Sequence, residues 1–214
     1  MARYPTGISG LDDELDGGIM PGSLVAIETD TTGQGDSMLR HLAAQQPTIY
    51  ISTTRGKETA EMWLHDHQLL FDMTHVHIEY AGGDDKLGSI ESYLEGLEKP
   101  MNIMLDPVNR LAQRDEEEYL KTLHVLKSYL SQYRRIGYLH VQTTPRDDAE
   151  TIAQNLAAIY RTADMVWKLS GSPRQSNITE LQITKHRAHQ TPEQAIKLRI
   201  GAEITVDPSR GISI

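Results

Sequence analysis

The fold is decided by one stretch near the N-terminus, Leu24-Val25-Ala26-Ile27-Glu28-Thr29-Asp30-Thr31-Thr32-Gly33-Gln34-Gly35-Asp36-Ser37. It opens with an apolar run, residues 24–28, which is typical of a strand buried on both faces of a parallel sheet. A glycine-containing turn follows and leads into a helix predicted to begin at about Met38. Because ligands of open α/β sheets bind outside the carboxyl ends of the strands, this turn is where chemistry is expected.

The rest of the chain repeats this alternation of short apolar runs and helical periodicity. Further strands are predicted at 48–51, 76–80, 103–105 and 138–141, and helices at 57–70, 87–97, 116–135 and 149–161. From Asp164 onward the pattern changes to short alternating strands, with a polar turn at residues 171–173. The chain is therefore predicted to form one α/β domain over residues 1–214, with a mostly parallel central sheet and antiparallel C-terminal edge strands.

Composition excludes several classes of protein. The 214 residues contain no Cys, which rules out disulfides, thiolate zinc sites and Cys nucleophiles. A formal net charge of −9 opposes non-specific binding to nucleic-acid phosphates. No apolar run approaches the roughly 18 residues of a membrane span, and the N-terminus lacks the apolar region of a signal peptide. We therefore expect a cytoplasmic protein without a membrane segment.

The turn after the first strand lies where a phosphate-binding P-loop, G-x-x-x-x-G-K-[ST], would lie. With Gly35 on the second glycine, Ser37 takes the position of the magnesium-binding hydroxyl, Asp30 replaces the first glycine and Asp36 replaces the lysine. A carboxylate at the lysine position repels phosphate by about 4 kcal/mol per unit pair at an effective dielectric near 20. That exceeds the attraction of about 2 kcal/mol from a helix N-terminus.

The loop is therefore interpreted as a degenerate remnant of a nucleotide site. Its members are Thr32, Gly33, Gly35, Asp36 and Ser37. Asp36 is expected to cap the free N–H groups of the helix and to pair with Arg40, four residues on. The glycines are expected to serve the backbone freedom of the loop, with or without a ligand.

The opening segment carries a family resemblance. Thr6-Gly7-Ile8-Ser9-Gly10-Leu11-Asp12, followed by Pro21-Gly22-Ser23, resembles the start of KaiC-like ATPases of the RecA superfamily. The tail, at 181–187 and 196–200, resembles the end of the same family. The resemblance covers essentially the whole chain and is greatest for short single-domain members common in archaea, particularly halophilic ones. It implies a RecA-like three-layer P-loop NTPase fold.

The resemblance also assigns further positions. It matches a magnesium-side acid, a polar sensor and an intersubunit Lys-x-Arg pair to Asp106, Gln142, Lys185 and Arg187 respectively. The catalytic acids of the family align with Thr54 and Arg55, which cannot polarise an attacking water as a carboxylate does. No catalytic residue is therefore predicted, and Gly35 and Asp106 are expected at neighbouring strand ends.

The loss of both the P-loop lysine and the catalytic acids favours a non-hydrolysing pseudo-ATPase that acts as a regulatory or assembly protein without a cofactor. One alternative is an atypical ATPase that binds ATP with Mg²⁺ and recruits a cation such as Arg55 or Lys57, although that interpretation leaves the repulsion from Asp36 and Asp30 unanswered. The other is a recombination-associated DNA-binding paralogue. Loop 107–118 ends in an acidic run, loop 143–150 is net negative, and neither contains an aromatic residue, so neither offers what a single-strand channel requires, which argues against nucleic acid.

The sequence gives less information about partners and metals than about the fold. His75 and His77 share a strand face but have no third ligand, so no metal is predicted. A protein partner is expected without a sequence clue to its identity. By the resemblance, Lys185 and Arg187 are predicted near a self-association surface of a homo-oligomer, where the acidic loop of the adjacent subunit, around Asp30 and Asp36, replaces the phosphate.

Overall fold

A computed structural model describes residues 2–30, 34–65, 72–82, 90–113, 115–143, 150–172, 175–187 and 189–207. The strands are β1 (Leu24–Thr29), β2 (Thr48–Ser52), β3 (Val76–Tyr80), β4 (Asn102–Asp106), β5 (Gly137–Gln142), β6 (Met165–Ser172), β7 (Gln175–His186), β8 (Ile196–Ile200) and β9 (Ile204–Val206). The α-helices are α1 (Ser9–Glu14), α2 (Gly35–Ala43), α3 (Lys57–Leu64), α4 (Ile90–Glu95), α5 (Glu116–Tyr133) and α6 (Glu150–Thr162). A 3-10 helix (Val108–Gln113) follows β4.

The strands form one sheet in the order β3-β2-β4-β5-β1-β6-β7-β8-β9. Pairing is parallel from β3 to β6. It is antiparallel from β6 to β9. The predicted parallel centre with antiparallel C-terminal strands is confirmed.

Alternate strand residues supply two cores, one on each face of the sheet. On β1, Val25 and Ile27 pack with α1, α2 and α3. Leu24 and Ala26 face the other way and pack with α5 and α6. This two-sided burial explains why the central strands are continuous apolar runs, and it gives the three-layer arrangement of helices, sheet and helices.

Several element boundaries differ from the predictions. Helix α2 begins at Gly35, not at about Met38, because Ser37 N and Met38 N both donate to Gln34 O and close the first turn there. The predicted turn at 171–173 is wrong for Gly171 and Ser172, since pairing with β7 carries β6 through both. Helix α5 ends at Tyr133 because Arg134 adopts a left-handed conformation with φ of 55°.

Two other helices are shorter in the described ranges than predicted. Helix α3 ends at Leu64, and residues 66–71 of the predicted 57–70 helix lie outside the described residues. Helix α4 ends at Glu95, two residues before the predicted end, and residues 83–89 are likewise outside. Across the described ranges, no helix has both the length and the apolar character that crossing a membrane requires.

The opening segment is held by its own hydrogen bonds and packing. Thr6 N donates to Asp12 Oδ1 at 2.6 Å, and the Thr6 hydroxyl accepts from Ile8 N at 3.2 Å. A Cβ added to Gly10 would approach Val206 Cγ2 to 2.8 Å, so the glycine allows α1 to pack against β9. Leu11 is fully buried. The residues that carry the family resemblance here therefore serve the fold.

Candidate functional site

The candidate site lies at the carboxyl ends of the parallel strands. β1 and β4 end there, and α2 and the loop after β2 begin there. The expectation that Gly35 and Asp106 occupy neighbouring strand ends is wrong in one respect, because β5 lies between β1 and β4. The two positions are nevertheless connected through side chains.

Arg55 makes that connection by bridging two carboxylates. Its Nη2 donates to Asp36 Oδ2 at 2.9 Å, and its Nη1 donates to Asp106 Oδ2 at 2.8 Å. Burial would lower the pKa of Arg55, but the charges of Asp106 and Asp36 outweigh it and raise that pKa. The guanidinium is therefore a permanent cation between two anions. Arg55 is therefore paired with Asp36 within the protein, and the repulsion of a phosphate by Asp36 and Asp30 stays a prediction.

Asp106 uses both carboxylate oxygens within the protein. Oδ1 is bonded to His140 Nδ1 at 2.5 Å, and Oδ2 accepts from Arg55 and from the hydroxyl of Tyr50. Burial alone would raise the pKa of Asp106, but the hydrogen bond and charge of His140, with Tyr50 and Arg55, hold it below the usual value. The side chain is 2% exposed. This carboxylate is ionised, buried and fully engaged.

His140 extends the network to the first strand. Its Nε2 is bonded to Thr29 Oγ1 at 2.8 Å, so Asp106, His140 and Thr29 form a chain of the kind that activates a nucleophile. Thr29 is only 3% exposed, so the chain joins β4, β5 and β1 rather than presenting a hydroxyl to solvent. A Cβ on Gly35 would lie 2.5 Å from Thr29 Cγ2. Gly35 is thus required by this close approach, not by the backbone freedom expected from the sequence.

Trp63, on α3, covers the bridge. Its ring centroid lies 4.4 Å from the guanidinium carbon of Arg55 and 5.3 Å from that of Arg40, and its Nε1 donates to Asp36 Oδ2 at 3.1 Å. Cation–π contacts of this kind contribute about 0.5–1 kcal/mol at exposed sites and more when desolvated. Asp36 therefore accepts hydrogen bonds from Arg55 and Trp63. It does not take the predicted capping role, because the N-cap residue of α2 is Gln34.

The structure describes only some of the remaining predicted site residues. Thr32 and Gly33 lie outside the described residues. Ser37 is half-buried in the first turn of α2. Gln142 ends β5, and its backbone exchanges hydrogen bonds with the Asn109 side chain at 2.7 and 2.9 Å. Its predicted sensor role stays a prediction.

The predicted Lys-x-Arg pair lies at the opposite edge of the sheet. Lys185 Nζ donates to Tyr160 O and Arg161 O, both at 2.9 Å, at the C-terminal end of α6. Arg187 pairs with Asp164 at 3.1 Å, just before β6 begins. Cations at a helix C-terminus are favoured by its partial negative charge. The pair therefore does not join the Arg55 bridge of its own chain.

ATP with Mg²⁺, which the fold implies, does not fit the residues present at this edge. Asp36 stands where the P-loop cation belongs, and the oxygens of Asp106 are bonded to protein donors. Thr54, aligned with a catalytic acid, is exposed and has no carboxylate. Within the described ranges, no group of three or more His, Asp or Glu side chains is arranged to hold a metal ion. Among the described residues at this edge, the Arg55 cation is held by two carboxylates, and both oxygens of Asp106 are bonded within the protein.

Residues 3–213 match a sequence family described as a family of unknown function, DUF7125. The chain belongs to that family. No curated protein matches it. The fold, in contrast, has well-covered relatives among solved structures.

Three of them are RecA-superfamily ATPases. The RadB recombinase has a TM-score of 0.69 at 14% identity, covering 94% of this chain and 98% of its own. The flagellar accessory protein FlaH from Methanocaldococcus jannaschii has a TM-score of 0.70 at 18% identity, covering 97% and 99%. The KaiC-like protein PH0186 from Pyrococcus horikoshii OT3 has a TM-score of 0.69 at 18% identity, covering 96% and 99%. The predicted RecA-like fold is confirmed.

Sequence reasoning missed three members of the network, Tyr50, Trp63 and His140. Tyr50 and His140 stand inside apolar runs that were correctly predicted as strands. A polar side chain in a strand buried on both faces needs a hydrogen-bond partner, and that requirement was the available signal. Nothing in the spacing of Trp63 indicated its position over Arg55.

Proposed function

We propose that this chain is a RecA-type pseudo-ATPase, which keeps the fold and fills the former nucleotide site with its own side chains. The observation that carries the proposal is the position of Arg55 between Asp36 and Asp106. On this proposal, the cation of the site is bound by two carboxylates of the protein instead of by an anionic ligand. On this proposal the protein acts in regulation or assembly, through itself or a protein partner, rather than by turnover.

Charge supports the exclusion of a polyphosphate. A phosphate drawn to Arg55 would meet Asp36, which is bonded to the same guanidinium at 2.9 Å. Each unit like-charge contact at about 4 Å costs roughly 4 kcal/mol at an effective dielectric near 20. Displacing Arg55 instead would leave Asp106 buried beside Tyr50 without its cation, and breaking a buried pair costs about 3–5 kcal/mol. Either route opposes binding.

One observation favours a second candidate, an atypical ATP-binding protein. Arg55 does place a cation beside the first turn of α2, which is where a P-loop cation acts. If Arg55 served as that cation, ATP would bind with Mg²⁺, and removing Arg55 would abolish binding. The two candidates therefore predict opposite results for the wild-type protein.

Calorimetry with ATP and Mg²⁺, at low salt and again at molar salt, tests the proposal. The wild type is expected to show no binding, whereas Asp36→Lys restores a phosphate cation and gives measurable affinity, at least about tenfold above the wild type. Turnover stays absent, because no catalytic acid is restored. Asp13→Lys, an identical charge change at an exposed residue of α1, is the matched control and is expected to resemble the wild type.

Two results would contradict the proposal. One is wild-type binding with micromolar affinity. The other is ATP turnover above background that disappears in Asp106→Ala. Loss of wild-type binding in Arg55→Gln would instead establish the second candidate.

A further inference from the structure

A second feature lies at the amino ends of β2, β3 and β4, on the opposite edge of the sheet from Arg55. A cavity of about 820 Å³ opens there between the loop that precedes β3 and the loop that precedes β4. Cavities that hold small organic ligands measure about 300–1,000 Å³. Polar members of its lining include His75, His77, Lys99 and Arg135, and the acidic residue among the described lining residues is Glu98.

Basic groups of this lining are not neutralised by the protein. Among the described residues, neither Lys99 nor Arg135 has an ion-pair partner, and the buried Nε of Arg135 has no hydrogen-bond acceptor. His77 is bonded to Glu79 at 2.8 Å, and the charge of His75 acts on exposed Asp72. A buried N–H donor without an acceptor is costly, so the Nε of Arg135 is a candidate donor to a ligand. On a chain of net charge −9, this local excess of cations stands out.

The backbone around the cavity is fixed. Arg135 N donates to Leu130 O, and Gly22 N donates to Arg135 O, both at 3.0 Å. Asn102 N donates to Pro47 O at 2.8 Å, and Met101 N donates to the Tyr129 hydroxyl at 3.0 Å. The backbone position from which Arg135 extends is therefore held before any ligand arrives, which reduces the entropic cost of binding.

The cavity also has an apolar wall. Val76, Leu97, Pro100 and Met101 line it beside the basic groups. A free inorganic ion would leave that wall bare, whereas an organic anion would cover it while its headgroup meets the cations. The lining therefore matches a ligand with two parts.

We propose that this cavity binds a small organic anion, with its oxyanion headgroup at Arg135 and Lys99 and its apolar body against Val76, Leu97 and Pro100. Arg135 offers a planar fork that suits a phosphate or a carboxylate, and Lys99 adds a point charge. The site is separate from the Arg55 bridge and does not depend on the pseudo-ATPase proposal. It gives the protein a ligand site at the edge of the sheet where no nucleotide is expected.

NMR titration of the full chain with phenyl phosphate, benzoate and benzyl alcohol tests the proposal. These probes share an aromatic ring and differ in headgroup, so they separate phosphate from carboxylate recognition and charge from apolar contact. At matched ionic strength, at least one anion is expected to bind and to shift the side-chain signals of His75, whereas benzyl alcohol binds at least about tenfold more weakly. Arg135→Gln and exposed Lys99→Gln are each expected to weaken the anion at least about fivefold.

Lys121→Gln, an exposed lysine on α5, is the matched control and leaves binding unchanged. The proposal is overturned if neither anion binds, if benzyl alcohol binds as well as the anions, or if Lys99→Gln leaves the affinity intact. Lys99 is exposed, so its variant remains a decisive measurement even if Arg135→Gln fails to fold.

Discussion

The two edges of the sheet carry inverse charge arrangements. At the carboxyl edge, one cation, Arg55, is shared by the carboxylates of Asp36 and Asp106. At the amino edge, one carboxylate, Asp164, is shared by Lys127 and Arg187. In each case the central ion joins elements that are distant in sequence. The difference is that the carboxyl edge is closed by its bridge, while the amino edge also has an open cavity with unneutralised cations.

This contrast supports our proposal that the fold is retained without its nucleotide ligand. A RecA-like sheet directs attention to the carboxyl edge, because ligands of open α/β sheets bind outside the carboxyl ends of the strands. Here the side chains at the carboxyl edge are bonded to one another, and cations without an ion-pair partner among the described residues, Lys99 and Arg135, lie at the amino edge. Function has to be argued from the side chains present at each edge, not from the topology that places them.

Substituting Asp106 tests the closed edge and should give the largest effect. Asp106→Asn removes the buried charge that holds Arg55 and accepts from Tyr50 and His140. We expect the free energy of unfolding in urea to fall by about 3 kcal/mol, because breaking a buried pair leaves a charge uncompensated. Asp13→Asn on exposed α1 is the control and should change it by less than about 0.5 kcal/mol. A loss below about 1 kcal/mol for Asp106→Asn would mean that the network is not stabilising.

The pH dependence of the same variant gives an independent check. The folded-state pKa of Asp106 lies below its ordinary value of 3.8. Its contribution to stability is therefore complete above that value and is lost as pH falls through the folded-state pKa. The difference between wild type and Asp106→Asn should narrow below about pH 4. A difference that stays constant across the acid range would assign the loss to packing instead of charge.

The two halves of the Arg55 bridge should differ in strength. Asp36 is 46% exposed and Asp106 is 2% exposed, so water screens only the first pair. Double-mutant cycles with Arg55→Gln should give a coupling of about 0.5–1 kcal/mol with Asp36→Asn. The coupling with Asp106→Asn should be larger, and molar salt should reduce only the Asp36 coupling. Equal couplings would show that the bridge behaves as one unit and would remove the distinction between a screened and a buried half.

Much of the fold was predictable from the sequence, because strands that are buried on both faces of a sheet appear in the sequence as continuous apolar runs. Five of the six strands that pair in parallel were predicted within the parallel sheet, at 24–28, 48–51, 76–80, 103–105 and 138–141, whereas β6 was predicted among the C-terminal edge strands and pairs in parallel with β1. The predicted helix start at Met38 was wrong because Gln34 O sets the first turn, and such a backbone acceptor has no signature in composition. The sequence also showed that an acidic residue, Asp36, occupies the position of the P-loop lysine.

The partners of Asp36 were not predictable in the same way. Local spacing favours contacts within one helix, such as Asp36 with Arg40, since four residues make one turn. Arg55 reaches Asp36 from the loop after β2, a separation that depends on the strand order. Tertiary pairings of this kind follow from the topology, so they require the structure.

The Lys-x-Arg pair offers the smallest expected effect and tests whether the amino edge is also closed. Lys185 and Arg187 contact the last turn of α6 and Asp164 in their own chain, yet Arg187 is 55% exposed and retains donors that face solvent. Because Lys185 and Arg187 are cations at a helix end, Lys185→Gln and Arg187→Gln should each lower the free energy of unfolding by about 0.3–1 kcal/mol.

Our proposal that the pair also lies near a self-association surface adds a second measurement, sedimentation at high protein concentration. Self-association that weakens in Lys185→Glu with Arg187→Glu, but persists in Lys121→Glu on α5, would place the acidic carboxyl edge of one copy against the basic amino edge of the next. A strict monomer, or assembly unchanged by the double substitution, would restrict the pair to its role at the end of α6 and leave the cavity as the one open feature described at that edge.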